Sequence, residues 1–102
     1  MHVLVYGSNG WIGTQFIDIL KNRSISYSCG SSRVDNDKTL FLEIKDTNPS
    51  HIVSFIGRTH GKIDNKTYTT IDYLEQEGKL VENIRDNLYG PLLLSAICKE
   101  NN

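Results

Sequence analysis

Three glycines at three-residue intervals are the residues of this 102-residue chain whose types and spacing best suit chemistry. They follow an apolar, β-branched segment and open a segment with helical periodicity. The first can take the positive φ angle that leaves a strand, the second lets main chain approach an anion, and the third lets the helix press on the strand. Free amides and the helix dipole at a helix start attract phosphate. The pattern predicts a diphosphate-binding turn made of Gly7, Ser8, Asn9, Gly10, Trp11, Ile12 and Gly13.

A tight strand-to-helix turn without a ligand is the alternative interpretation of this pattern. A P-loop is excluded, because no Lys-Ser or Lys-Thr pair follows the glycines. Trp11 either packs locally or leans on a ligand. We expect Ser8 or Asn9 to cap the helix, and Ile12, Phe16, Ile19 and Leu20 to share its apolar face.

A second candidate lies after the next predicted strand, where Ser31, Ser32 and Arg33 follow Gly30. In dinucleotide folds this position meets the adenosine ribose, and an acid there binds the 2′-hydroxyl whereas an arginine accommodates a 2′-phosphate. Two hydroxyls and a guanidinium suit a phosphate monoester, so NADP(H) is preferred, with NAD(H) possible. Asp35 is the competing residue, and the preference reverses if it faces the ribose. Arg33 as a solvated loop residue is the remaining alternative.

Composition and charge limit the partners and sites that we expect for this chain. The formal net charge is −1 and the basic residues are scattered singly, which predicts neither nucleic acid nor a membrane as partner. Cys29 and Cys98 lack metal-ligand spacing, and no metal site is predicted. Without a leader or a spanning apolar stretch in the sequence, we expect a reduced, cytoplasmic protein.

The order of apolar segments predicts an α/β fold, a Rossmann-like parallel sheet with flanking helices that forms the N-terminal half of a doubly wound domain. The sheet needs helical crossovers, although residues 39–44 also fit a strand. Asp35 or Asp37 is expected to cap the second helix. The predicted elements are strands over 1–6, 25–29 and 51–57 and helices over 10–23, about 37–48 and from about Leu74 or Lys79 to Glu100.

Several further residues are assigned from their place in this order. His2 and His51 begin strands, at the edge opposite to ligands, so both are interpreted as structural. The polar segment 58–73 is predicted to be a loop near the ligand, with Arg58, Thr59 and His60 as candidate contacts. The last helix is expected to bury Leu80, Ile84, Leu88 and Leu92. Pro91 should bend it and leave the carbonyl of Asn87 without its helical donor.

With these motifs in view, the sequence resembles the extended short-chain dehydrogenase/reductases of the NAD-dependent epimerase/dehydratase group. It is most similar to the bifunctional 3,5-epimerase/4-reductases that form UDP-L-rhamnose. The matching strings are Tyr6-Gly7, Gly10-Trp11-Ile12-Gly13, Gly30-Ser31-Ser32-Arg33, Asn48-Pro49 through Ile52-Val53, and Asn87-Leu88-Tyr89-Gly90.

This resemblance implies an NADPH-dependent reduction, with 3,5-epimerisation, of a nucleotide-linked 4-keto-6-deoxy sugar toward UDP- or dTDP-L-rhamnose. It assigns the ribose and nicotinamide side to Phe55, Ile56, Gly57 and Arg58, gives Asn87 a supporting role, and implies a homodimer. The family's small residues after the third strand are here replaced by Phe55-Ile56-Gly57.

The family's Tyr-x-x-x-Lys pair is not found, since none of the five tyrosines has a lysine four residues on. Residues 1–102 are therefore expected to be the N-terminal part of one NAD(P)-binding domain, with the catalytic pair and the substrate domain beyond it. A non-catalytic NADP-binding regulatory subunit or sensor of the same fold is the alternative function. A flavodoxin-like nucleotide module is a third.

Overall fold

The computed structural model describes residues 1–57 and 60–101. At the centre of its sheet is β1 (His2–Tyr6), which is paired with a parallel strand on each side. On one side β2 (Ser26–Cys29) lies at the edge of the sheet, and on the other side lies β3 (His51–Ser54). The predicted mid-sheet place of the first strand is confirmed.

Two helices make the connections between these strands. The helix α1 (Trp11–Asn22) joins β1 to β2, and α2 (Asp37–Thr47) carries the chain from β2 across β1 to β3. Since the strand order is β2-β1-β3, the first crossover leads from β1 to one side of it and the second returns past β1 to the other side. The predicted α/β, Rossmann-like parallel sheet with flanking helices is thereby confirmed.

The central strand is buried on both faces, because successive side chains of a strand point to opposite sides. Val3 and Val5 pack against Ile17 and Leu20 of α1. The opposite face, formed by Leu4 and Tyr6, packs in a second cluster with Val34, Leu40, Ile44, Leu94 and Ile97. These two apolar layers pack on the two faces of β1 and thereby fix the position of its carboxyl end.

The buried face of α1 differs from the predicted one. Gly13, Ile17 and Leu20 are buried, whereas Ile12 and Ile19 are about half exposed, at 58% and 50%. The helix is rotated so that the third glycine, which has no side chain, faces the strand. The predicted caps were also wrong, since the N-cap residue is Gly10 and no side chain caps the helix.

The second crossover is helical, as preferred over the strand alternative. Its cap is neither Asp35 nor Asp37 but Asn36, whose Oδ1 accepts a hydrogen bond of 3.2 Å from the amide of Thr39. The helix ends at Asn48, which adopts the left-handed conformation (φ 48°) directly before Pro49.

The described part of the predicted loop is more regular than the sequence suggested. Two antiparallel strands, β4 (Gly61–Ile63) and β5 (Lys66–Tyr68), form a hairpin, and a 3₁₀ helix (Ile71–Glu75) follows. Buried Tyr73 anchors this unit, because its hydroxyl donates a hydrogen bond of 2.6 Å to Glu82. Arg58 and Thr59 lie outside the described residues.

The last helical segment is distorted where Pro91 predicts it. It consists of α3 (Leu80–Ile84), a π-helical turn (Arg85–Tyr89) and α4 (Gly90–Asn101). The amide of Gly90 donates to the carbonyl of Arg85, five residues back. Proline has no amide hydrogen to continue the α-helical ladder, so the distortion falls in the preceding turn.

The apolar face predicted for this helix was wrong. The residues that α4 buries are Gly90, Leu94 and Ile97, on the side toward α2 and β1. The predicted row is instead 47–67% exposed; its members are Leu80, Ile84, Leu88 and Leu92. Among the described residues, no helix combines the length and apolar character needed to cross a membrane.

Candidate dinucleotide site

The glycine turn lies at the carboxyl edge of the sheet, between the ends of β1 and β3. The strand order reverses between these two strands, and open α/β sheets bind ligands at such a switch point. Gly7 has a φ angle of +76°, and a Cβ on it would lie 3.0 Å from the carbonyl carbon of Phe55 and 3.1 Å from the nitrogen of Ile56. The amide of Phe55 also donates to the carbonyl of Tyr6 at 2.9 Å. The turn and the exit of β3 are thus in direct contact.

The start of α1 is pressed onto this turn. A Cβ on Gly13 would lie 2.1 Å from the carbonyl oxygen of Gly7, so only glycine fits there. Around Gly10 the same oxygen, at 3.6 Å, is the one described atom within 4 Å of an added Cβ. The first glycine and the third have the packing roles predicted for them, while the second leaves room beside the main chain.

The first turn of α1 has the character of an anion site. It carries no acidic residue, its N-cap side has no side-chain hydrogen bond, and Trp11 is 81% exposed rather than packed locally. The helix dipole and main-chain amides therefore supply the local positive charge. This turn, with space beside the main chain at Gly10, fits the diphosphate of a dinucleotide.

The residues after β3 diverge from one another. The ring of Phe55 turns toward α1 and lies 5.2 Å from that of Phe16, whereas Ile56 packs against the core on the other face. A Cβ on Gly57 would come within 3.3 Å of Oδ1 of Asn87. The fold therefore brings Asn87, from the π-helical turn, to the exit of β3.

The turn after β2 packs against the aromatic ring of Tyr6. The amide of Gly30 donates to the carbonyl of Val5 at 2.7 Å, and a Cβ on Gly30 would lie 2.3 Å from Cε1 of Tyr6. Burial, followed by the interaction with Glu43, raises the pKa of Tyr6. The Tyr6 hydroxyl is buried and makes no hydrogen bond of normal geometry within the described residues.

Glu43 of α2 binds this turn from the side, a role that sequence reasoning missed. Its carboxylate accepts hydrogen bonds from the amide and hydroxyl of Ser31, at 3.0 and 2.7 Å, and from the amide of Ser32 at 3.2 Å. The Ser32 hydroxyl donates to the carbonyl of Thr39 at 3.1 Å. Both serines thus attach the turn to α2.

The charge of Glu43 is stabilised by this arrangement. Burial opposes ionisation, but the hydrogen bonds from Ser31 and Ser32 outweigh it, so the pKa of Glu43 lies below its ordinary value. Nothing in the sequence marks Glu43, because its partners are about a dozen residues away and meet it only in the fold.

Arg33 projects from the same turn and is paired with Asp35. The Nε of Arg33 is 2.9 Å from Oδ1 and its Nη2 is 3.1 Å from Oδ2, while the Arg33 side chain is 69% exposed. Hydrogen bonding to Asp35 raises the pKa of Arg33, and the same contact lowers the pKa of Asp35. Both residues that the sequence proposed for the ribose are therefore present, bound to each other.

A second arginine reaches this pair from the π-helical turn. Arg85 Nε lies 3.7 Å from Oδ2 of Asp35 and donates a hydrogen bond of 2.8 Å to Oδ1 of Asp86. A cavity of about 170 Å³ opens here, lined by Arg33, Val34, Asp35, Ile56, Gly57 and Asp86. Sequence reasoning missed Arg85, although it stands two residues before the assigned Asn87. No group of metal-ligating side chains occurs within residues 1–57 and 60–101.

Comparison with known proteins supports the resemblance. No protein-family model matches the chain. Protein L780 of Acanthamoeba polyphaga mimivirus is 47% identical over 102 residues, which are 100% of this chain and 34% of L780. The crystal structure of L780, described as a UDP-rhamnose synthase, superposes with a TM-score of 0.91 over 98% of this chain and 33% of its own.

More distant relatives have related activities. A bifunctional dTDP-4-dehydrorhamnose 3,5-epimerase/reductase of Arabidopsis thaliana is 33% identical over 97 residues, covering 95% of this chain and 29% of the relative. The NAD complex of UDP-glucose 4-epimerase from Thermus thermophilus has a TM-score of 0.78 at 18% identity, over 99% of this chain and 34% of its own, and shows the shared fold. The chain spans about a third of the length of these relatives. The predicted likeness to rhamnose-forming epimerase/reductases is confirmed.

Proposed function

We propose that this homologue of rhamnose-forming epimerase/reductases binds NADPH along the carboxyl edge of its sheet. It would serve in the reduction, with 3,5-epimerisation, of a nucleotide-linked 4-keto-6-deoxy sugar toward UDP- or dTDP-L-rhamnose. The observation that carries the proposal is that the glycine turn, the exit of β3 and the Arg33 turn meet at one edge. The sugar is inferred from what the relatives are described as making.

The residues of this chain would bind and orient the cofactor. Main-chain amides of the turn from Gly7 to Gly13 hold the diphosphate, and Arg33 takes the 2′-phosphate of the adenosine ribose. Phe55, Ile56 and Gly57, with Asn87 beside Gly57, line the approach to the nicotinamide side. When bound, the reduced nicotinamide supplies the hydride for the ketone of the sugar.

Cofactor preference is tested by calorimetric titration of the complete protein, as its gene encodes it, with NADPH and NADH. We expect tighter binding of NADPH. Arg33→Ala should weaken NADPH binding by about tenfold or more, the loss typical of charge-assisted hydrogen bonds, and leave NADH binding unchanged.

Arg23→Ala is the matched control, since this exposed arginine lies at the other end of α1. It should alter neither titration. An NADPH preference that survives Arg33→Ala would overturn the assignment of Arg33, and equal binding of the two cofactors by the wild type would overturn the NADPH preference itself.

The substrate class is tested by following the oxidation of NADPH in the presence of UDP-4-keto-6-deoxyglucose or its dTDP counterpart. We expect oxidation with at least one of them, and none with UDP-glucose, which has no ketone to accept the hydride. Failure of both ketosugars would overturn the proposed reaction. The homodimer implied by the resemblance stays a prediction, measured as molar mass by light scattering on the same protein.

A further inference from the structure

Two guanidinium groups from distant parts of the chain converge on a single carboxylate at the binding edge. Arg33 comes from the turn after β2 and Arg85 from the π-helical turn, and both contact Asp35, at 2.9 Å and 3.7 Å. Arg85 is also fixed by two hydrogen bonds to Asp86, Nε to Oδ1 at 2.8 Å and Nη2 to Oδ2 at 3.1 Å. Both guanidinium groups thus contact the same carboxylate, that of Asp35.

The carboxylate of Asp35 binds the guanidinium of Arg33 in the same way that a phosphate would. Both of its oxygens accept from Arg33, and guanidinium groups use the same paired donation toward phosphate oxygens. The pair is on the surface, with the Arg33 side chain 69% exposed, and ion pairs in water are weak. A dianion can therefore compete with Asp35 for Arg33.

We propose, building on the function proposed above, that Arg85 is a second phosphate-binding residue and that Asp35 is an internal competitor. Asp35 holds Arg33 until the phosphate monoester on the adenosine ribose displaces it, and Arg85 then faces the same phosphate. Asp86 keeps the guanidinium of Arg85 near the cavity. The balance of these four charges sets how strongly the site prefers a 2′-phosphate to a 2′-hydroxyl.

The experiment is a pair of titrations, with NADPH and with NADH, on variants of the complete protein. Arg85→Gln should weaken NADPH binding by about tenfold, as for one lost charge-assisted hydrogen bond, with NADH binding unchanged. Arg85→Lys, which keeps the charge, should recover part of that loss. Asp35→Asn should tighten NADPH binding several-fold and leave NADH binding unchanged. Arg23→Gln and Asp18→Asn are matched controls, since both residues are exposed on α1 or its end.

The unchanged NADH affinity shows in each variant that the site is folded. An unaltered NADPH affinity in Arg85→Gln would overturn the role of Arg85. Weaker NADH binding in Asp35→Asn would show instead that Asp35 binds the ribose hydroxyls, and would overturn its role as competitor. The proposed function fails separately, through a wild type that does not prefer NADPH or an Arg33→Ala variant that keeps the preference.

Discussion

The two ends of β1 satisfy their polar groups in opposite ways. At the amino end, the two ring nitrogens of His2 hydrogen-bond the hydroxyls of Ser26 and Ser28, at 2.6 and 2.8 Å, and its amide donates to the hydroxyl of Ser50 at 2.9 Å. At the carboxyl end, Gly7 brings no side chain and α1 starts without a side-chain cap. The amino end of this strand is therefore joined to its neighbours by side-chain hydrogen bonds, whereas its carboxyl end leads into a turn and a helix start without such a bond. The comparison favours the second end for the proposed cofactor site and agrees with a structural role for His2.

Adding a side chain at the glycine turn, which follows the carboxyl end of β1, should have the largest effect on stability and on NADPH binding. Gly13→Ala would place a Cβ 2.1 Å from the carbonyl oxygen of Gly7, and a backbone atom in a packed turn cannot step aside. We expect a loss of about 3 kcal/mol in the free energy of unfolding, at the upper end for overpacking, and NADPH binding below detection. Urea unfolding and calorimetric titration of the same protein measure the two quantities.

Gly78→Ala is the control for this variant. Unlike Gly13, Gly78 has a positive φ angle, +82°, and none of the described atoms lies within 4 Å of an added Cβ. It should lose about 1 kcal/mol from backbone strain alone and keep its affinity for NADPH. Normal NADPH binding by Gly13→Ala would break the comparison, because the helix start would then not need its contact with the turn.

Loosening the turn after β2 should have an intermediate effect. Glu43→Gln keeps the size of the side chain but removes the charge that accepts three hydrogen bonds from Ser31 and Ser32. We expect about 1 to 2 kcal/mol of lost stability near neutral pH, measured by urea unfolding, since hydrogen bonds to charged groups are the stronger ones. Glu77→Gln, at an exposed glutamate, should change little.

The same variant has a defined pH dependence. The folded pKa of Glu43 is lower than its ordinary value, so its charge stabilises the fold fully above the unfolded pKa of about 4.3. This stabilisation is lost as the pH falls through the folded pKa. The stability gap between the wild type and Glu43→Gln should therefore narrow in acid, and a gap that widens in acid would contradict this role of Glu43.

Local chemistry explains which features the sequence could predict. The glycine turn is encoded within seven residues, so its packing roles followed from residue type, and Pro91 marked the distorted turn because proline always lacks an amide hydrogen. Glu43 and Arg85 act on partners that only the crossovers bring close, and no periodicity reports such contacts. The prediction that the row from Leu80 to Leu92 is buried was wrong for a related reason. A sequence pattern shows which face of a helix is apolar, but it does not show whether that face or another one is buried in the fold.

A substitution at the amino end of β1 should have the smallest effect, and it tests the comparison of the two ends of the strand most directly. His2→Ala removes the ring that bridges Ser26 and Ser28 but leaves the main-chain bond to Ser50 in place. Because these hydrogen bonds lie near the surface, we expect a loss of about 1 kcal/mol in the free energy of unfolding. NADPH and NADH affinities should both equal those of the wild type, since the four residues after His2 pack as one rigid buried strand between it and the glycine turn. A changed affinity for either cofactor would mean that the two ends of β1 are coupled, and the separation of a structural end from a binding end would fail.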